Sequence, residues 1–509
     1  MRALRALSFT FLSLLAGTSS AIALPAGQMT WGIHVSIAPT WFDPAETPGI
    51  VTPFMFLYAL HDGLVKPMPG NPLAPSLAES WRVSKDGLVY EFTLRRGVKF
   101  HDGETMTAED VKFSFERYRG TSAALLKSKV AQVEIVDTHR IRFTLKHPWP
   151  DFMTFYATPA TGASWIVPKK YVEKVGEDGF KKAPVGAGPY RFVSYKPGVE
   201  LVLEANEQYW RKPASVKTLV FRVIPDESTR LAALKRGELD VAYSITGPLA
   251  EELKATRGLA LKPTYFPFTT WLVFTEQWNP KSPWHDQRVR LAANVAIDRQ
   301  GINQAVYLGL SRVSQNFVPQ GMEYYWAPPP YAYDPQKAKR LLAEAGYPNG
   351  FDAGEISGDM VYGSAIGEPV ANYFQAVGIR IKVRPLERAA FFKEFGEKKL
   401  KYVVLSGSGA PGNAPTRFEA YAVTGGRYVY GSYPDIDGLF TEQVNEMNPR
   451  VRQQILAKMQ QLVFERAMFG PVIEPAFLSG VGPRVEESGL GSIANYPYSA
   501  PYEDLRLKK

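Results

Sequence analysis

The stretch from Leu73 to Arg117 constrains the fold of this chain more than any other segment, because it combines a strand, a turn and a capped helix. Apolar and polar residues alternate in the strand, which is typical of a half-buried β-strand. The residues predicted to face inward are Tyr90, Phe92 and Leu94. Further along, Thr107 and Asp110 have the spacing of a capping box and predict the start of a helix. The segment therefore indicates a mixed α/β domain.

The rest of the chain alternates between strand and helix patterns in the same way. Asp334 followed by Pro335 predicts a helix start, with an N-cap and a proline in the first turn, and Gly346 marks its end. Another strand is predicted from Ile379 to Arg384, and a final helix from Pro449 to Phe469. A chain of 509 residues is too long for one compact core. The sequence thus predicts an α/β protein of two or three domains.

Four segments resemble, in the same order, the sequence blocks of one protein family. They are Leu73–Arg117, Val185–Asp240, Arg288–Gly309 and Tyr333–Pro348. The second block departs slightly from the family pattern, since Ala187 stands where the family usually has threonine. With these blocks the chain resembles the extracytoplasmic solute-binding proteins of family 5, the peptide, opine and nickel class of ABC importers.

The resemblance implies a particular α/β fold. Members are two-lobed periplasmic binding proteins (type II, cluster C-like) with an extra N-terminal domain and a ligand cleft at the hinge. Their chain crosses the hinge more than once, so the first lobe is discontinuous. The boundaries expected here are 1–23 for a signal peptide, 24–66 with 186–278 and 482–509 for lobe I, 67–185 for the extra domain, and 279–481 for lobe II.

The resemblance also implies a role in transport. The protein would capture a small organic solute by hinge closure and deliver it to an ABC permease dimer in the inner membrane, which cytoplasmic ATPases drive. We expect a monomer with no cofactor, no metal site, no nucleic-acid partner and no stable insertion into the membrane.

The N-terminus has the pattern of a cleaved secretory signal. Arg2 and Arg5 precede an apolar run from Ala6 to Ala16, and small residues follow up to Ala23. The apolar run is too short to span a membrane. The chain contains no cysteine, so it has neither a lipobox for acylation nor disulfides. We expect a soluble periplasmic protein that begins at Leu24.

Charge and motif patterns argue against other functions. The formal net charge is +9, but basic residues are dispersed among acidic ones, which is typical of a solvated surface rather than a nucleic-acid site. The six histidines form no HExxH motif and no i,i+4 pair. His101 lies in the first of the four blocks, and the resemblance implies a structural role for it between domains. The segment Ser406–Gly409 lacks the spacing of a nucleophile elbow and the ending of a phosphate-binding loop. We do not expect an enzyme.

The ligand-binding loop is predicted to follow a strand over residues 401–405 and to occupy residues 407–415. In peptide-binding relatives an aspartate in this loop pairs with the α-ammonium group of the ligand. Ser408 stands at that position here, and a serine hydroxyl cannot neutralise an ammonium group. The loop therefore favours a ligand without a free ammonium group.

Arg417 in the same region has two interpretations. In the first, Arg417 is a bidentate anchor for a carboxylate or phosphate, with Ser408 and the amide of Gly409 as further donors. Alternatively, Arg417 forms a surface or inter-lobe salt bridge with Glu419 or Asp435.

Three aromatic residues are further candidates for ligand contact. Trp41 follows the first strand, Trp165 lies in a loop rich in small residues, and Tyr498 lies in the C-terminal return. Packing in the core or on the surface is the alternative for each of them.

We expect an opine-like, phosphorylated or otherwise anionic organic solute. A di- or oligopeptide is the second hypothesis, and nickel held in a small chelator is the third. From a different class of function, a periplasmic holdase would bind extended unfolded chains without a discrete ligand, and one-to-one binding of a small molecule would distinguish the two.

Overall fold

The computed structural model describes residues 24–508, except for 48, 50, 361, 362, 410, 411 and 495. The predicted signal peptide at 1–23 lies outside the described residues. Within the described ranges, no helix is both long enough and apolar enough to cross a membrane.

Strands and helices alternate along the chain, as the sequence predicted. The strands are β1 (Ala26–Ile33), β2 (Val65–Met68), β3 (Asn71–Pro75), β4 (Ala78–Val83), β5 (Val89–Leu94), β6 (Val130–Asp137), β7 (Arg140–Leu145), β8 (Tyr190–Lys196), β9 (Glu200–Ala205), β10 (Val216–Val223), β11 (Val241–Tyr243), β12 (Ala260–Tyr265), β13 (Thr269–Phe274), β14 (Arg312–Val313), β15 (Phe351–Asp359), β16 (Ile379–Leu386), β17 (Val403–Ser408), β18 (Phe469–Glu474), β19 (Ala476–Val481), β20 (Val485–Glu487) and β21 (Arg506–Leu507).

The helices between them are mostly short. They are α1 (Val51–Leu60), α2 (Ala108–Arg117), α3 (Ala123–Lys129), α4 (Phe152–Tyr156), α5 (Lys169–Lys182), α6 (Glu227–Lys235), α7 (Gly247–Ala255), α8 (Gln287–Ala296), α9 (Arg299–Tyr307), α10 (Pro335–Glu344), α11 (Gly363–Ala376), α12 (Arg388–Gly396), α13 (Ala414–Tyr421), α14 (Pro434–Val444) and α15 (Pro449–Glu465).

Among the described residues, these elements are organised around two large sheets and one smaller sheet. The first has seven strands in the order β12-β19-β11-β1-β10-β9-β8, and the second has six in the order β14-β18-β13-β17-β15-β16. A four-stranded sheet has the order β4-β5-β7-β6. We call the parts built on these sheets the first lobe, the second lobe and the extra domain. Both large sheets mix parallel and antiparallel pairs, and the α/β fold class is confirmed.

The chain crosses between the two large sheets at places other than those predicted. One crossing lies at residues 266–268, between β12 and β13, and another at Pro475, between β18 and β19. The boundaries at 278/279 and 481/482 are therefore misplaced, because β13 belongs to the second sheet and β19 to the first. Both β13 and β18 are buried along their whole length, so no alternation in the sequence indicates which sheet they join. The other predicted boundaries stay a prediction.

The strand and capped helix of the extra domain match the sequence prediction. In β5 the residues Tyr90, Phe92 and Leu94 are buried, and their neighbours are partly exposed. At the start of α2 the Thr107 hydroxyl accepts a hydrogen bond from the amide of Glu109 at 3.3 Å. The Asp110 carboxylate accepts one from the amide of Thr107 at 2.8 Å. The two bonds satisfy donors that would otherwise be unpaired at the helix start.

The turn before β8 packs tightly against the end of α1. A Cβ atom on Gly186 would lie 2.1 Å from the carbonyl oxygen of Leu60, and one on Gly188 would lie 2.5 Å from that of Ala59. The amide of Gly186 donates to His101 Nδ1 at 3.2 Å, and His101 Nε2 donates to the carbonyl of Gly188 at 3.0 Å. Burial lowers the pKa of His101 to about 4, so the ring is neutral and can make both bonds. His101 thus joins the extra domain to the first lobe, as the sequence predicted.

Candidate ligand cleft

A cleft of about 490 Å³ lies between the two lobes. The first lobe contributes Val51, at the start of α1, and Phe477, in β19. The remaining lining residues come from the crossing at 266–268 and from the second lobe. A larger hollow, of about 600 Å³, lies beside β15 and β16 and is lined by the second lobe. The cleft is the better candidate for a solute site because both lobes line it and their relative movement would change its volume.

Aromatic side chains form most of the apolar wall of the cleft. They are Phe266, Phe268, Phe392, Tyr421, Tyr428 and Phe477. Such rings offer large apolar faces and hold few polar groups, so they suit the organic body of a small solute.

Two glycines of β17 and its extension allow these rings to lie close to the strand. A Cβ atom on Gly407 would lie 2.9 Å from the ring of Phe268, and one on Gly409 would lie 2.1 Å from the ring of Phe266. The strand itself reaches Ser408, which pairs with Thr269, so the predicted loop begins later than residue 407. The side chain of Ser408 is hydrogen-bonded to Tyr421.

Arg417 lies at the floor of the cleft on α13 and is 1% exposed. Its Nη2 donates to the carbonyl oxygen of Pro267 at 2.9 Å and to that of Ser408 at 2.7 Å. Its Nε and Nη1 atoms are buried and have no hydrogen-bond partner. Burial lowers the pKa of Arg417 to about 10, with Tyr421 and Glu474 opposing this shift, so the side chain stays charged at neutral pH.

Other buried arginines of the chain differ from Arg417 in their hydrogen bonding. Arg230, Arg290 and Arg299 each donate from Nε, Nη1 and Nη2 to oxygen atoms of the protein. These three are structural because every nitrogen has a partner in the fold. Arg417 instead has two charged donors without an acceptor in the protein, so a bound solute or a water molecule has to supply one.

The alternative interpretation of Arg417 as a salt-bridge residue is wrong. Asp435 pairs with Arg466 at 2.6 Å, and Glu419 lies on the exposed side of α13. Among the described residues, no carboxylate lies within 4.0 Å of the Arg417 guanidinium group. The sequence suggested these partners because both are close along the chain, but the helix directs Arg417 to the opposite side from Glu419.

The three aromatic candidates lie outside the lining of the cleft. Trp165 is 1% exposed and packs against Phe54 at 5.5 Å, in the core of the first lobe. Trp41 stacks on Phe56 at 6.2 Å, and Tyr498 packs behind Phe477 at 5.5 Å. Trp165 and Tyr498 are buried and Trp41 is half-buried, so packing accounts for these positions, and a role in ligand contact stays a prediction.

The sequence analysis missed several residues that the fold brings to the cleft. Phe266 and Phe268 stand on either side of Pro267 between two strands, and this aromatic-proline-aromatic pattern was the available signal. Arg388 also lines the cleft; it donates to Asp359 at 3.1 Å and lies 5.2 Å from the ring centre of Phe392. No local pattern marked Arg388, since its place depends on the packing of α12.

Comparison with known proteins identifies the family. The sequence profile of the bacterial extracellular solute-binding proteins, family 5, matches residues 72–428. The chain belongs to this family. Family 5 proteins are periplasmic substrate-binding components that work with ABC permeases and ATPases. Across the described residues, no group of three or more histidine, aspartate or glutamate side chains is placed to hold a metal ion.

Individual relatives cover most of the chain. It is 30% identical over 475 residues to heme-binding protein A of Haemophilus influenzae, with 84% of each chain aligned. It is 28% identical over 489 residues to the probable di/tripeptide-binding protein 5 of Pseudomonas aeruginosa, with 89% of this chain and 92% of the relative aligned. The structure of HbpA2 from Haemophilus parasuis superposes with a TM-score of 0.80 at 25% identity, covering 95% of this chain and all of the other. These relatives are solute-binding proteins.

A buried carboxyl group lies beside the crossing between the lobes of this family 5 protein. Glu474 is the last residue of β18, is 3% exposed, and accepts a hydrogen bond from the amide of Gln320 at 2.9 Å. Burial raises its pKa from 4.5 to about 7, against the effects of the Gln320 hydrogen bond, Arg312 and Arg417. The carboxyl group is therefore partly protonated at neutral pH.

We expect Glu474→Gln to stabilise the protein at pH 8 but not at pH 4.5. The pKa of this carboxyl group is higher in the folded protein than in the unfolded chain. At a pH below the unfolded pKa the group is protonated in both states and folding carries no penalty, but as the pH rises through the folded pKa of about 7 the buried group ionises and stability is lost. The gain at pH 8 should be about 3 kcal/mol. Melting temperatures of both proteins across pH 4.5–8 test this. Glu368→Gln, at an exposed site on α11, is the control; an equal gain at both pH values would contradict the prediction.

Proposed function

We propose that this protein is the soluble periplasmic receptor of an ABC importer for a small anionic organic solute, of the opine-like, phosphorylated or other carboxylate-bearing kind. The observation that carries the proposal is Arg417, a buried cation at the floor of the cleft with two unpartnered donors. Among the described residues that line the cleft, none is an aspartate or glutamate. The site therefore favours an anion and offers no partner to an ammonium group.

Binding would use both parts of the cleft. A carboxylate or phosphate would accept hydrogen bonds from Nε and Nη1 of Arg417 after a small movement of the covering side chains. The charge of Arg388, which also lines the cleft, is already offset by its ion pair with Asp359, so Arg417 would be the principal cation for the ligand. The aromatic wall would take the organic body, and approach of Val51 and Phe477 with the first lobe would enclose it. The enclosed form would then dock on the permease.

A di- or oligopeptide is the second candidate, because one aligned relative is named a di/tripeptide-binding protein. A peptide has a carboxylate that Arg417 can bind, but it also has an ammonium group. Burying that group without a carboxylate partner costs several kcal/mol. The two candidates therefore differ in their tolerance of a positive charge on the ligand.

A pair of matched ligands tests the proposal. Ala-Phe and N-acetyl-Ala-Phe share a carboxylate and an aromatic ring, but acetylation removes the ammonium charge. Calorimetry is expected to show tighter, one-to-one binding of the acetylated peptide. Tighter binding of free Ala-Phe would reject the anionic solute in favour of peptides, and binding of unfolded chains without a defined stoichiometry would favour a holdase.

A second experiment looks for the natural solute bound to the purified protein. Native mass spectrometry of protein released by osmotic shock, without refolding, is expected to show a chain beginning at Leu24 with a bound small anion. A chain that retains residues 1–23 would contradict the proposed cleavage site, and a bound cationic solute would contradict the proposed ligand class.

A further inference from the structure

The extra domain contacts the second lobe through a buried ion pair. Asp151, which precedes α4, accepts hydrogen bonds from Arg452 of α15: Nη1 donates to Oδ1 at 2.7 Å and Nη2 donates to Oδ2 at 2.8 Å. The side chain of Arg452 is 1% exposed and that of Asp151 is 13% exposed. This pair is bidentate and shielded from water, the geometry in which loss of one partner has a large effect.

The second lobe holds Arg452 ready for this contact. Its Nε and Nη2 donate to the amide oxygen of Gln443, at 3.0 and 2.8 Å, and its guanidinium carbon lies 5.1 Å from the ring centre of Tyr324. These groups are neutral, and among the described residues Asp151 is the carboxylate that pairs directly with Arg452. Glu323 of the second lobe attracts the same guanidinium group from a greater distance.

Asp151 also contacts the helix that carries Arg417. The side-chain amide of Asn413 donates to Oδ1 of Asp151. The side-chain oxygen of Asn413 accepts a hydrogen bond from the amide of Thr416 at 3.3 Å and so caps α13. Asp151 thus fixes the orientation of the residue that caps α13, one turn before Arg417.

A second contact supports the same end of α13. The Thr154 hydroxyl of the extra domain donates to the Glu323 carboxylate at 3.0 Å. The carbonyl oxygen of Glu323 accepts a hydrogen bond from the amide of Ala414, the first residue of α13, at 3.0 Å. Two residues of the extra domain therefore hold the first turn of this helix from outside the second lobe.

We propose that Asp151 is a positioning residue of the ligand site, through which the extra domain orients α13 and its Arg417. Asp151 does not line the cleft described above, so it acts through Asn413 and Arg452 rather than by touching the solute. The inference deepens the proposed function, because it takes Arg417 as the ligand anchor. It assigns the extra domain a part in solute binding in addition to its own folding.

Hydrogen exchange of the ligand-free mature protein tests this inference. Asp151→Asn keeps the shape of the side chain but removes its charge, and we expect exchange of the backbone amides over residues 414–421 to become at least tenfold faster. Exchange in β5 and β7 of the extra domain should stay unchanged. A purely structural loss of stability would instead accelerate exchange in both regions, and exchange in α13 within twofold of the unmodified protein would overturn the inference.

Glu91→Gln is the matched control. Glu91 accepts hydrogen bonds from Nε and Nη2 of Arg142 at 3.1 and 2.7 Å, within the extra domain and away from α13. The Glu91→Gln variant should leave exchange in α13 unchanged. If it accelerated exchange in α13 as much as Asp151→Asn does, the inference would be overturned. If Asp151→Asn does not fold, Arg452→Gln tests the same link from the second lobe, with the same outcomes.

The failure of the two proposals can be distinguished. Exchange is measured without a ligand, whereas the anionic solute is tested by affinity. Suppose that Asp151→Asn makes exchange in α13 faster but Arg417→Ala leaves the affinity for N-acetyl-Ala-Phe unchanged. Arg417 is then not the ligand anchor, but the extra domain still orients α13. If instead exchange in α13 is unchanged in Asp151→Asn but the affinity falls in Arg417→Ala, Arg417 is the ligand anchor and the role of Asp151 in orienting α13 is overturned.

Discussion

Replacing Arg417 by alanine is expected to weaken binding of an anionic ligand by about 2–5 kcal/mol, which corresponds to roughly thirtyfold to several thousandfold in affinity. The variant removes a buried cation whose Nε and Nη1 donors have no acceptor within the protein. Calorimetry with N-acetyl-Ala-Phe, or with the solute identified by mass spectrometry, measures the loss.

Two control variants separate charge from packing. Arg417→Met keeps an unbranched side chain beside Trp271 but removes the charge, so it should lose as much affinity as Arg417→Ala. Ser408→Ala should cost only about 1 kcal/mol, because its hydroxyl is already bonded to Tyr421. Recovery of affinity in Arg417→Met would show that packing had been lost rather than charge. Tight binding of an unmodified peptide that is indifferent to Arg417→Ala would favour the peptide hypothesis.

Replacing Gly186 by alanine is expected to destabilise the protein by about 3 kcal/mol or more. The added Cβ would lie 2.1 Å from the carbonyl oxygen of Leu60 and 2.4 Å from Nδ1 of His101. The carbonyl belongs to the backbone at the end of α1 and cannot rotate away, so the turn and the helix must separate. The melting temperature of the variant measures the loss of stability. We expect it to fall, and we expect proteolysis at this junction to become faster.

Gly438→Ala is the matched control for this effect. Gly438 lies inside α14 on an exposed face, and a Cβ atom there would have no neighbour within 4 Å. Alanine is the better helix former, so this variant should be neutral or stabilising by up to about 1 kcal/mol. A melting temperature for Gly186→Ala equal to that of Gly438→Ala would show that the turn before β8 can move, contrary to the prediction.

Local patterns in the sequence were sufficient to predict the α/β class and individual elements, and the resemblance of four sequence blocks predicted the family. The capping box at Thr107 and the N-cap at Asp334 both occur in the structure, because helix starts are determined by side chains that bond to amides two or three residues away. The alternation of Tyr90, Phe92 and Leu94 likewise predicted the buried face of β5, since neighbouring side chains of a strand point to opposite sides.

Which residues line the cleft could not be predicted from local sequence, because it depends on contacts between distant parts of the chain. The sequence named Ser408 and Arg417, because both lie in or next to the segment where the resemblance placed the ligand, but it also named Trp165, which is in the core. Whether an aromatic ring lines a cleft or fills a core depends on what the rest of the chain packs against it, and this is not encoded in its immediate neighbours.

By itself, then, the sequence determined which segments form strands and capped helices, because those properties depend on residues a few positions apart. Its four matching blocks determined the family. Tertiary structure decided that Phe266, Phe477 and Arg417 share one cleft, and that β13 and β19 belong to opposite sheets. It also decided that Arg417 keeps two donors unpaired, since a missing partner becomes visible only when every neighbouring segment is in place.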